Sequence, residues 1–191
     1  MKKSIIQLIL FATLLPFLSC SEEEEDMGSK ELIEHYHLAG KYLGQVTPAL
    51  FGIAPITTGE HEMEFTDMGD GRLHLYYDHF QEPPMPFVMT VDIYMTVKKG
   101  VDNTLKLEGE KGTFRADVPE GKTAVDPKDA PPGITIPEGG EKGMISHQAA
   151  IIGNYGEIEK KGKKAERFDL KLTPGLPLPV RILIYTHHKI N

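Results

Sequence analysis

From residue 60 onward the chain is written largely in a period of two. Arg72, His74 and Tyr76 alternate with Leu73, Leu75 and Tyr77, and Phe87, Met89, Val91, Ile93, Met95 and Val97 alternate with Val88, Thr90, Asp92, Tyr94, Thr96 and Lys98. Such runs are half-buried strands with one face to a core and one to solvent. Glu60, Glu62, Glu64 and Thr66 against His61, Met63 and Phe65 give another strand, and Leu105 and Leu107 between Thr104, Lys106 and Glu108 one more. Phe168, Leu170 and Leu172 alternate with charged and polar residues, and Val180, Ile182 and Ile184 with Arg181, Leu183 and Tyr185. That last strand is apolar on both faces, so it is covered on both sides or lies against a partner.

Turn signals punctuate the runs at 68–71, 99–103, 109–112 (Gly109-Glu110-Lys111-Gly112) and 160–164. Short strands at hairpin spacing predict an all-β, mainly antiparallel barrel or sandwich. Helix is scarce. Residues 30–37, with Ser29 as a cap and Leu32 and Ile33 facing inward, make two helical turns or else belong to an extended lead-in to the first strand. Residues 118–143 are rich in proline and glycine and form a long loop. A proline bend recurs at 77–88 and 172–181, where fixed φ angles and missing N–H donors suit strand junctions.

The first 26 residues follow different rules. Lys2 and Lys3 precede an apolar run over residues 5–18, with Ser4, Gln7 and Thr13 its polar interruptions. At about 14 residues the run is too short for a spanning helix, which needs roughly 20, and it reads as a cleaved export signal covering residues 1–19. Phe17-Leu18-Ser19-Cys20 resembles the lipobox of bacterial lipoproteins, with Phe17 where an aliphatic residue is usual. The resemblance implies that Cys20, the chain's one cysteine, is lipidated with diacylglycerol and fatty acid such as palmitate; the alternative is a plain secretory signal. A single cysteine also excludes an internal disulfide.

Ser21, Glu22, Glu23, Glu24, Glu25 and Asp26 follow at once. They resemble the surface-export signal of Bacteroides-type lipoproteins, which implies an outer-membrane anchor facing the cell surface; an outward-facing periplasmic or inner-leaflet anchor is the alternative. Physically, five consecutive carboxylates repel one another and stay solvated, so residues 20–29 form a tether. Residues 30–191 form the domain. Loss of residues 1–19 leaves 172 residues, enough for one sizeable core, and moves the formal charge from −7 to −9 because only Lys2 and Lys3 are lost. That balance excludes nucleic acid as a partner, since phosphates would be repelled.

The domain resembles the calycin-like β-barrels of Bacteroides-type lipoproteins, which are similar to lipocalins. The likeness is carried by Ala39-Gly40-Lys41-Tyr42-Leu43-Gly44, by the aspartate–glycine turn and strand over 69–80, by Pro84-Met85-Pro86-Phe87, and by 172–185 with its Pro-Gly-Leu-Pro-Leu-Pro bend. It covers most of residues 36–188. The lipocalin Gly-x-Trp appears as Gly40-Lys41-Tyr42, and there is no tryptophan in the chain. A calycin-like barrel with a long proline/glycine-rich loop is the fold it implies.

Small barrels either fill their interior with side chains or enclose one ligand. Met63, Phe65, Phe87, Met89 and Met95 are apolar-face residues able to line an adaptable hydrophobe pocket or simply to fill a core. Two readings stay open: a lipid-anchored surface protein with a non-catalytic binding role, for a hydrophobic small molecule, or a structural or protein-interaction module of a cell-surface complex with a filled barrel. Catalytic motifs are missing, so the expectation is a non-enzyme without cofactor. Ser146 and His147 are strand neighbours pointing to opposite faces, useless as nucleophile and base. Glu60, Glu62 and Glu64 share one face and suit pairing with lysines opposite. His35 and His37 on one side of the first strand and His187-His188 on the last would meet if the two strands pair; without a carboxylate at fixed spacing they are read as solvated, and no metal site is assigned.

Overall fold

The computed structural model describes residues 27–50, 59–81, 87–119, 143–160, 162–176 and 180–190. Cys20 and the residues from Ser21 to Asp26 lie outside them, as does most of the proline/glycine-rich loop. The elements are α1 (Ser29–His35), β1 (Gly40–Leu50), β2 (Glu60–Asp67), β3 (Leu73–Phe80), β4 (Val88–Lys99), β5 (Leu105–Asp117), β6 (Met144–Lys160), β7 (Lys163–Thr173) and β8 (Val180–Ile190). Each strand pairs antiparallel with the next, and β8 pairs with β1 to close the barrel. The all-β expectation holds, and the architecture is an eight-stranded antiparallel barrel of calycin-like layout.

Alternation becomes inside and outside. Met63, Phe65, Leu73, Leu75, Met89, Val91, Ile93, Met95, Val97, Phe168, Leu170, Leu172, Ile182 and Ile184 are all buried, while their strand neighbours face outward. At the core's centre Phe65 stacks on Phe168 at 4.2 Å, Tyr42 meets both edge-on at 5.5 and 5.0 Å, and Tyr155 lies 4.7 Å from Phe168. Offset and edge-on pairs of this kind add to the stabilisation from area burial. Tyr42 donates its hydroxyl to the Leu38 carbonyl at 3.0 Å. Burial pushes the Tyr42 and Tyr155 phenols up from the usual tyrosine range, because their phenolates would have to form away from water.

The helix closes one end. It begins after Gly28, not after a Ser29 cap, and ends at His35. The Ser29 hydroxyl serves the barrel instead, donating to the Gly71 carbonyl at 2.6 Å and accepting from the Val97 N–H at 2.8 Å. Leu32 and Ile33 are buried as the sequence predicts. His37 takes φ +49°; its N–H bonds Glu34 and that of Leu38 bonds Ile33, a Schellman stop with histidine where glycine is usual. His35 and His37 therefore belong to α1 and its C-cap, and the idea that they share a side of the first strand is corrected. Lys189 of β8 donates to the His37 carbonyl at 2.7 Å and to that of Ala39, tying the last strand to this plug.

One further expectation fails on local chemistry, and one strand went unpredicted. Gly109-Glu110-Lys111-Gly112, read as a turn, lies inside β5, where it forms a bulge. β6 has no counterpart in the periodicity reading, because Ala149-Ala150 and Ile151-Ile152 double the apolar residues and Gly153 stands on the core side facing Leu170. A Cβ at Gly153 would strike the Asp169 carbonyl, so close approach of β6 and β7 requires glycine there.

Phe168→Ala should cost about 3–5 kcal/mol in denaturant-induced unfolding, since it removes the ring that three others pack against. Ile152→Ala, on the outer wall, should stay within about 0.5 kcal/mol.

Candidate functional site

The hydrophobic residues singled out from the sequence are core residues. Met63, Phe65, Met89 and Met95 are fully buried, and Phe87 packs half-buried against the same cluster. Ser146 is buried, donating to the Gly175 carbonyl at 3.1 Å, while His147 is exposed and bonds Thr113 at 3.2 Å. Glu62 pairs with Lys41 at 2.7 Å, and Glu60 lies 3.5 Å from His187. Among the described residues no group of three or more histidine, cysteine, aspartate or glutamate side chains is placed to hold a metal ion.

A concave site forms instead on the outer wall, and the β5 bulge makes it. Pairing of β4 with β5 passes from Asp92↔Thr113 to Thr96↔Glu108, so three residues of β4 face four of β5. On the other side Gly109 pairs with Ile151 and Gly112 with Ala149. The surplus is absorbed at Lys111, whose φ is +60°. Bulges bend a strand and re-aim its side chains, and a non-glycine residue held at positive φ is the kind of local strain that clusters at working sites.

The resulting depression has a volume of about 630 Å³ and is bounded by Arg72 and Tyr94 on one side, Ala150 and Ile152 on the other, and Glu110 and Lys111 along the rim. Its floor includes Gly109, where a Cβ would strike the Tyr94 carbonyl oxygen. Ile152, 53 % exposed, is also part of the wall of a second depression of about 600 Å³ that runs over β5, β6 and β7 between Lys106 and Lys171. Ile152 and the half-buried Ala150 give this side of the hollow an apolar surface.

The β3–β4 side is held rigid by stacking. His74 lies parallel to Tyr94 at 4.3 Å and bonds Asp92 at 2.8 Å. The Arg72 guanidinium sits 4.8 Å from the Tyr94 ring centre and is gripped by Asp70 through Nε and Nη2 at 2.9 and 2.6 Å. Tyr76, 51 % exposed, continues the row at 6.3 Å from His74. The Arg72 hydrogen bonds hold the Asp70 carboxyl below its usual range. Glu108 is likewise held low by Lys106 and Lys98, and Asp78 by the Thr90 hydroxyl and His79.

None of this wall was singled out from the sequence. Tyr76 and Tyr94, aromatic residues on otherwise polar strand faces, were the available signal. The class that the fold defines is an all-β, eight-stranded antiparallel barrel of calycin-like layout, with α1 packed at one end and a bulge in its outer wall. Compared with protein-family models, curated proteins and solved structures, the chain finds no match.

Arg72→Gln should return the Asp70 carboxyl to the ordinary aspartate range in a carboxyl-carbon NMR titration. Because the folded-state value lies below the unfolded one, the pair's stabilisation is present above the ordinary aspartate range and is lost as pH falls through the folded value. Both side chains are exposed, so the effect on global stability is small.

Proposed function

We propose that this chain is a lipid-anchored binding module, attached to the outer membrane through Cys20 and carried to the cell surface by the signal from Ser21 to Asp26. It binds without catalysis, through its outer wall rather than its interior. The observation that carries this reading is the division of the barrel: the inward faces, including Met63, Phe65, Met89 and Met95, are spent on a core around Phe168, while a depression lies outside at the β5 bulge, beside the stacked Tyr94 and His74 and with Lys111 at positive φ in its lining. This reading takes the filled barrel from the second role open from the sequence and moves the binding role of the first from the interior to the wall.

The anchor also fits the geometry. The described chain begins at Met27, beside the plug helix, so a lipid on Cys20 would tether the α1 end and leave the walls free to meet ligands. Two or more acyl chains give firm attachment.

Two measurements test the proposal. Native mass spectrometry of residues 27–191 after incubation with mixed cell lipids should return the bare polypeptide mass, and a retained lipid would place binding inside the barrel and overturn the reading. Cys20→Ser should abolish labelling by radioactive palmitate and move the protein from the membrane to the soluble fraction; a variant that stays labelled would remove the anchor from Cys20.

A further inference from the structure

We infer that the depression at the β5 bulge binds a neutral saccharide, seated with a C–H face of its ring against Ile152 and Ala150 and its hydroxyls toward Arg72, Glu110 and Lys111. This deepens the outer-wall reading and rests on it.

Size and lining set the ligand class first. A hollow of about 630 Å³ falls in the range of small-ligand sites, roughly 300–1,000 Å³. Its two long sides differ in kind: Ile152 and Ala150 of β6 are apolar, whereas Arg72 and the Tyr94 edge present donors and an aromatic rim. A ligand that fills it must itself carry an apolar face and a polar circumference. Pyranose rings have that construction, with axial C–H groups on a face and hydroxyls, each both donor and acceptor, around the edge.

Charge then narrows the class. Arg72 and Glu108 in the lining are already paired, with Asp70 and with Lys98 and Lys106, and Lys111 stands beside Glu110, so no single sign dominates the site. A phosphate-bearing ligand meets the Glu110 carboxylate and finds Arg72 already committed to Asp70, and an acyl chain would bury charged groups against hydrocarbon. A neutral polyol meets donors and acceptors together. Arg72 offers a planar guanidinium, and Glu110 a carboxylate able to accept two hydroxyls. Among the described residues Glu110 and Lys111 make no ion pair, so neither has to break one to bind.

Rigidity supports the same conclusion. Arg72 is fixed by Asp70 and by Tyr94, which His74 backs, and the bulge sets the backbone at Gly109 and Lys111. Groups already held in place lose little freedom on binding, which matters most for a weakly bound, strongly hydrated ligand.

The test is amide NMR of the chain from residue 20 onward carrying Cys20→Ser, which retains α1 and every strand. It is titrated to 20 mM with methyl α-glucoside, methyl β-galactoside, N-acetylglucosamine and cellobiose, and separately with inorganic phosphate. At least one saccharide should shift the amides of residues 94–96, 108–112 and 150–152 saturably, and phosphate should not. Glu110→Gln and Ile152→Ser, both exposed and so expected to leave the remaining spectrum unchanged, should each weaken that saccharide at least fivefold. No saturable shift with any saccharide, shifts confined to other residues, a stronger response to phosphate, or unchanged affinity in both variants would each overturn the assignment. The native mass measurement judges the outer-wall reading separately: a bare mass with no saccharide response overturns the ligand class alone, and a retained lipid overturns the reading beneath it.

Discussion

The constraint on which everything else rests is the width of an eight-stranded barrel, whose interior is just large enough for side chains to fill. Phe65, Phe168, Tyr42 and Tyr155 occupy that width as one aromatic cluster. α1 completes it at one end through Leu32 and Ile33, locked by Ser29 to both the β2–β3 turn and β4. Once these rings meet in the interior, the alternation of each strand has its meaning fixed, and most charged side chains are sorted to the outside, with Ser146, Arg167 and Thr186 buried.

That sorting moves the question of function to the wall. A closed barrel has no free edge to offer a partner strand, so a specific site on it must come from a departure in the regular ladder. The β5 bulge is such a departure: glycine at 109 and 112 lets the strand crowd β4, Lys111 takes up the extra residue at positive φ, and a hollow opens between Tyr94 and Ile152. The stacked row of Arg72, Tyr94, His74 and Tyr76 stiffens one bank of it. Lys41 and Glu60, Glu62 and Glu64 on the β1–β2 wall have no comparable arrangement and read as a solvated, ion-paired face.

Legibility in the sequence followed the same physics. Strands with one residue type per face, such as β2, β3, β4 and β7, declare themselves, and closure of β8 on β1 agrees with the calycin-like resemblance. β6 stayed hidden because doubled alanine and isoleucine erase the period of two and glycine replaces a core side chain. The bulge was read as a turn because Gly109 and Gly112 carry the same backbone freedom in either setting. His37 passed as a strand residue because its left-handed cap depends on Leu38 packing beneath the helix. The depression was beyond reach altogether: Arg72, Tyr94, Lys111 and Ile152 come from the β2–β3 turn, β4, β5 and β6, and only the register brings them together.

Xenon binding followed by NMR tests the central claim most directly, because xenon enters dry apolar cavities that water and larger ligands leave empty. The wild-type barrel should give no xenon-dependent shifts at core methyls such as those of Met63, Met89, Val91 and Ile182, whereas Phe168→Ala should open a cavity that does. Saturable xenon shifts at those methyls in the wild-type protein would show an unfilled interior and contradict the account at its base.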